Sequence, residues 1–79
     1  MKAVEFEGVN VRYAENQEEY QTLPAYVNPN NGEATFCFEL DEQEIAQVKK
    51  DGKIYLGVLT FFEKLQPIRM SVLKPQELK

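Results

Sequence analysis

A helix closed at both ends, leading almost directly into nine residues without a charge, constrains this chain more than any other feature. In Leu40-Asp41-Glu42-Gln43-Glu44-Ile45, Asp41 has the right side chain to accept from an orphan helix amide, and Glu44 stands three positions on to reach back. Leu40 and Ile45 are spaced as a hydrophobic staple. Lys49 and Lys50 oppose the negative helix end, and Gly52 follows where a left-handed terminator belongs. The spacing predicts a helix over 42–50, with Ile45, Val48 and Ala46 as a narrow apolar stripe able to pack on one sheet face. Ile54-Tyr55-Leu56-Gly57-Val58-Leu59-Thr60-Phe61-Phe62 then reads as a strand covered on both faces, the expected middle of a sheet.

The rest of the chain supplies shorter strand signals. Val4 and Phe6 alternate with Glu5 and Glu7; after Gly8 the phase slips, and Val9, Val11 and Tyr13 alternate with Asn10 and Arg12. A slip at glycine means a bulge in one long strand or a tight bend between two short ones, and the lack of an Asn-Gly or Asp-Gly pair favours the bulge. Residues 15–22 are polar and read as a surface loop. Leu23-Pro24-Ala25-Tyr26-Val27 is weakly apolar, and Pro24 demotes any strand there to an edge. Asn28-Pro29-Asn30-Asn31-Gly32 is the strongest turn signal. Ala34, Phe36, Phe38 and Leu40 form one face of a strand, with Thr35, Cys37 and Glu39 on the other. Residues 63–67 read as a turn, and Ile68, Met70 and Val72 as a last, half-exposed strand.

These elements predict an α+β fold: a single domain over residues 1–75, with a mostly antiparallel sheet of four to five strands and one short helix on one face. Residues 76–79 form an expected flexible tail. A helix between strands 34–40 and 54–62 permits either a right-handed crossover or antiparallel neighbours.

Size makes such a domain marginal, because a chain of 79 residues buries little more than about 60% of its unfolded surface. Cys37 is alone and cannot form an internal disulfide; between Phe36 and Phe38 it reads as a small buried hydrophobe. Without histidine or a second thiol, zinc offers no staple either. Packing against a second copy is the remaining route, so self-association is the default expectation. The opening residues alternate at once, with acids where a signal sequence would be apolar, and the run at 54–62 is about half the ~20 residues of a membrane helix. The chain is expected in the cytoplasm of a host bacterial cell, off the membrane.

Charge is unevenly divided. Residues 1–48 hold two basic residues against ten acidic ones, a net of −8, whereas residues 49–79 hold seven against three, a net of +4. Opposite poles favour contact between copies, or they are simply solvated faces brought together by folding. Chemistry is poorly represented: no histidine is present to act as a general base, and the four glycines do not cluster as a phosphate cradle. No catalytic residue, cofactor or metal is expected; Glu15, Glu18 and Glu19 lack the pattern of a calcium loop. Phe61, Phe62, Lys64 and Arg69 resemble a single-strand platform, but a pI of about 4.8 argues against nucleic acid as the partner. The stronger candidate is a protein-contact surface rich in tyrosine: Tyr13, Tyr20, Leu23 and Tyr26. The bland alternative is that Tyr13 and Tyr26 close the core edges and Tyr20 tethers a loop.

The segment from Tyr13 to Tyr26, with Glu18-Glu19-Tyr20 and Leu23-Pro24-Ala25 within it, resembles one signature of a family of small uncharacterised proteins from phage, prophage and other mobile elements of gut bacteria. Gly52-Lys53-Ile54-Tyr55, Leu59-Thr60-Phe61 and Leu65-Gln66-Pro67 are similar to its second half. Tyr55 stands where that pattern has tryptophan, and Phe62-Glu63 where it has a small residue before lysine or proline. The resemblance implies origin rather than activity; the missing catalytic apparatus, the charge asymmetry and the tyrosine-rich loop lead to the expectation of a non-enzymatic accessory protein acting by protein contacts. A nucleic-acid accessory using the basic C-terminal half is the alternative, and a small enzyme the third. The resemblance adds Glu18, Gln66 and Arg69 to the candidate surface, with the Tyr20 loop and the Gln66 turn expected at one end of the sheet.

Overall fold

The structure is a computed structural model that describes residues 1–14 and 22–74. It contains five short strands and one helix: β1 (Lys2–Val4), β2 (Val11–Tyr13), β3 (Leu23–Val27), β4 (Ala34–Thr35), β5 (Cys37–Glu39) and α1 (Glu42–Asp51). One sheet has the order β2-β3-β4 and the other pairs β1 with β5, all antiparallel. The architecture is a small α+β domain, as the sequence pattern implies.

The glycine at position 8 makes a bend rather than the favoured bulge. Gly8 takes φ 111°, and Val9 N–H donates to Phe6 carbonyl oxygen at 3.3 Å. The two halves then go to different partners: Ala3 faces Phe38, and Val11 faces Ala25. The slip in phase thus separates two strands and two sheets.

β3 is the middle strand of its sheet, correcting the edge assignment from Pro24. Asn10 N–H donates to Ala25 carbonyl oxygen at 3.0 Å, so Ala25 directs its polar groups toward β2. By the alternation of a strand, Pro24 points its missing donor the other way. On that side β4 pairs only with Tyr26 and Val27, so the proline lies just beyond the ladder and breaks no bond in it. Asn10 finishes the β2 side: its Nδ2 donates to Val27 carbonyl oxygen at 3.1 Å, and its Oδ1 accepts from Val27 N–H at 2.8 Å. One carboxamide replaces a backbone partner.

The expected turn is present between β3 and β4. Gly32 N–H donates to Asn28 carbonyl oxygen at 2.7 Å, and Asn28 N–H to Glu33 carbonyl oxygen at 2.8 Å. Asn28 Oδ1 and Asn31 Oδ1 each accept from the amide two residues on, at 2.8 Å. These are the local bonds that make asparagine a turn residue. The strand expected over 34–40 is divided at Phe36, β4 serving the three-stranded sheet and β5 the two-stranded one.

α1 has the anticipated ends. Asp41 Oδ1 accepts from Glu44 N–H at 2.8 Å, Glu44 Oε1 accepts from Asp41 N–H at 3.0 Å, and Gly52 closes the helix at φ 64° with its N–H on Val48 carbonyl oxygen at 2.6 Å. Its apolar stripe is only partly covered, with Val48 half-buried and Ile45 54% exposed.

Beyond α1 the expectation and the structure part company. No residue of 54–62 lies in a strand, all but Thr60 are exposed, and 68–72 are likewise irregular. Strands of two to five residues provide no flank on which a nine-residue strand can pair. Chain reversal occurs at 60–63, earlier than the expected 63–67. Glu63 N–H donates to Thr60 carbonyl oxygen at 2.9 Å, with Phe61 at φ 55° and Phe62 at φ 64°. Positive φ at both central residues is the signature of a type I′ hairpin turn. Two phenylalanines occupy the positions that Asn-Gly would fill without strain.

Candidate functional site

Closed packing is confined to the centre of the β2-β3-β4 sheet. Among the described residues only Pro24, Ala25 and Asn28 are buried. The register places Val11, Tyr13, Leu23, Ala25, Val27 and Ala34 on one face, because directly paired residues share a face and alternate residues return to it. Tyr13 meets Phe36 there, ring centroids 6.3 Å apart and tilted by 46°. Cys37, expected in the core, is exposed. It pairs with Val4 from β5, a strand whose three residues are all exposed.

The candidate residues within the described part of the chain are spread over both sheet faces and the C-terminal segment. Tyr13 and Leu23 face each other across β2 and β3, Tyr13 exposed and Leu23 half-buried. Tyr26 is half-buried and lies on the opposite sheet face, an odd number of positions from Leu23. Glu18 and Tyr20 lie outside the described residues, and with them the question of whether the Tyr20 loop adjoins the Gln66 turn. Gln66 is exposed on the C-terminal segment. Arg69, on the same segment, grips Glu33 of the β3–β4 turn through two bonds, Nη2 to Oε1 at 2.6 Å and Nε to Oε2 at 3.2 Å.

Two carboxylates record how the ends of the chain are held. The Arg69 bond, with its charge, keeps Glu33 below the usual carboxylate range. Glu44 is lowered first by the bond from the Met1 amino group and then by the amide of Asp41. Arg12 forms a third pair with Glu5, at 2.8 and 2.9 Å. All three pairs are solvated, so water and salt screen each of them strongly. Among the described residues no group of three or more metal-ligating side chains converges, and no helix is long and apolar enough to cross a membrane.

Among the described residues, the longest run of exposed apolar side chains is the segment after Gly52, called the arm. Tyr55 is 88% exposed, Leu59 78% and Phe61 74%, and Phe62 projects fully into solvent. Ile54, Leu56 and Val58 are about half exposed, so accessibility alternates with a strand's period along residues 54–59 although no ladder forms. One side of the ribbon is partly sheltered and the other open. Farther on, Leu65, Ile68, Met70, Val72 and Leu73 are also exposed. Isolated surface hydrophobes need no explanation, whereas a run of them along one segment calls for one.

The dimensions agree. The accessible surface is 7352 Å² for 9.2 kDa, against about 4,900 Å² for a folded monomer of that mass. The radius of gyration is 14.1 Å, where a closed domain of this length has about 11.6 Å. The sequence carried the signal in the charge-free run itself: a strand needing cover on both faces, in a chain too small to supply two covers.

Neither family models, curated proteins nor solved structures match this chain.

Proposed function

We propose that this chain is a small non-enzymatic accessory protein of a phage or other mobile element, acting in the host cytoplasm through protein contacts. The observation that carries the contact reading is the open apolar side of the arm, Tyr55, Leu59, Phe61 and Phe62. Aromatic residues with a rigid ring are the usual anchors of such surfaces. The origin rests on the motif resemblance, Leu23-Pro24-Ala25 through Leu65-Gln66-Pro67. Tyr13 and Leu23 add to the contact residues on one sheet face, Tyr26 on the other, and Gln66 and Arg69 on the arm; Glu18 and Tyr20 are included on the motifs alone.

The test is capture from a bacterial lysate together with light scattering, for the natural chain and for a Tyr55→Ser, Leu59→Ser double variant. The reading expects association, with itself or with a captured protein, that the double variant loses. A chain that neither self-associates nor retains any protein refutes it. Exposed Phe61 and Phe62 near Lys64, in a segment with more basic than acidic residues, favour single-stranded nucleic acid as the second reading. Fluorescence anisotropy with a single-stranded oligonucleotide at about 50 mM salt, where phosphate contacts are strongest, separates the two.

A further inference from the structure

We infer that the partner of the arm is a second copy of this chain, in a two-fold dimer whose arms lie reciprocally on the acidic N-terminal halves. The inference rests on the protein-contact reading and names the occupant of its surface.

Three independent observations converge on it. The first is exposed apolar area. Every large apolar side chain from Ile54 to Leu73 is at least 45% exposed, a longer apolar run than a closed monomer leaves open. An unrelated partner would bring its own closed surface, whereas here each copy has the deficit that the other can fill. The N-terminal half has an incompletely covered helix and, in β5, an exposed strand, with Ile45 and Phe38 both open to solvent, and the arm has apolar side chains to spare.

The second is charge. Residues 1–48 carry −8, and residues 53–74 carry four bases against Glu63 alone, a net of +3. Arg69 already reaches Glu33 within one chain, which shows the sort of pairing that arm and acidic half make. A two-fold axis lets each basic arm meet the other copy's acidic half twice over, so the assembly closes at two instead of growing into a filament.

The third is backbone geometry. The arm turns through Thr60–Glu63 with the hairpin signature described above, held by two phenylalanines at positive φ. Left-handed φ in bulky residues persists where surroundings over-determine it. Within one copy Thr60 holds the turn, its carbonyl oxygen and Oγ1 accepting from the Glu63 and Phe62 amides, while both phenylalanine rings project into solvent with none of the described residues of their own copy covering them. A hairpin presented on a segment whose ladder is unmade is also the arrangement from which segments exchange between identical chains.

The experiment is sedimentation velocity on the full chain from about 1 to 100 µM, paired with carbodiimide cross-linking of an equal mixture of natural-abundance and ¹⁵N-labelled protein. The expected result is a species of twice 9.2 kDa, with mixed-isotope cross-links joining Lys53 or Lys64 to carboxylates of residues 1–48. In the Tyr55→Ser, Leu59→Ser variant the dissociation constant rises at least about 100-fold, while amide spectra of α1 and the β3–β4 turn stay in place and show that the variant folds. A natural chain that is monomeric at 100 µM overturns the inference, as does a dimer that the variant leaves intact or cross-links confined to single isotopes. A monomer that still captures another protein through the arm overturns the homodimer alone and leaves the contact reading standing.

Discussion

Residues 28–52 and residues 53–74 are both short of regular packing, yet they behave oppositely. In the first, polar ends are satisfied within a few residues: Asn28 and Asn31 bond amides two positions on, Asp41 and Glu44 bond each other, and Gly52 returns to Val48. In the second, the side chains are largely apolar, and their natural partners are neither adjacent in sequence nor supplied by the other described residues. A capping box needs four residues; a charge-free strand needs two covering layers. The contrast teaches that local polar rules close without help, whereas hydrophobic instructions close only if enough surface is there to receive them.

The centre of the first sheet is the place to break that contrast most severely. Ala25 is fully buried at the middle of β3, and Ala25→Leu should destabilise by about 2 kcal/mol through overpacking, measured by urea denaturation. A change near zero would mean that even this sheet is loosely filled. Asn10→Ala should be next. It removes both carboxamide bonds to Val27 and leaves those backbone groups to solvent, a loss of about 1–2 kcal/mol, seen as faster hydrogen exchange at the Val27 amide.

The helix ends sharpen the local side of the comparison. Asp41→Ala should remove about 1 kcal/mol by unmaking the capping box. Gly52→Ala should lose about 1 kcal/mol because φ 64° is the left-handed region that alanine avoids. Both are read from the far-ultraviolet circular dichroism melt, and neither should change sedimentation if the arm alone governs association.

The smallest effect expected is that of pH on the Arg69–Glu33 grip. Glu33 is lowered in the folded chain by its bond to Arg69. Its contribution is therefore present above the ordinary glutamate range of about 4.3 and is lost as pH falls through the lower folded value. Glu44, lowered by the Met1 amino group and the Asp41 amide, follows the same sign. Side-chain carboxyl shifts followed by NMR should show both titrating late, and Arg69→Ala should return Glu33 to the ordinary range while leaving Glu44 unmoved.

Legibility followed the range of the interaction. Both ends of α1 were readable because each cap is made by residues a few positions apart, and Asn28 to Gly32 was readable as a turn for the same reason. At Gly8 the phase slip was visible, but bulge and bend differ only in where the following strand finds its partner. Pro24 misdirected because a missing donor matters only on the side where a ladder continues, and that side is set by the length of β4. Cys37 misdirected because flanking phenylalanines describe alternation, not whether anything covers the face. Of the candidate surface, Arg69 acquired a definite partner, Tyr13 and Leu23 were brought face to face, and Tyr26 was turned away from them. The open side of the arm was missed, although its nine uncharged residues were the clearest signal in the chain.

Local sequence thus specifies the short-range structures: a helix of known ends, a hairpin turn of known residues, alternating strands, and the fold class they imply. Tertiary structure alone decided which strands became neighbours, which proline was harmless, and that the most apolar ribbon lies outside the closed sheet. The physical reason is that a hydrogen-bonded cap is completed by its own neighbours, whereas burial depends on area contributed from afar. In a chain of 79 residues that area is less than its apolar side chains require.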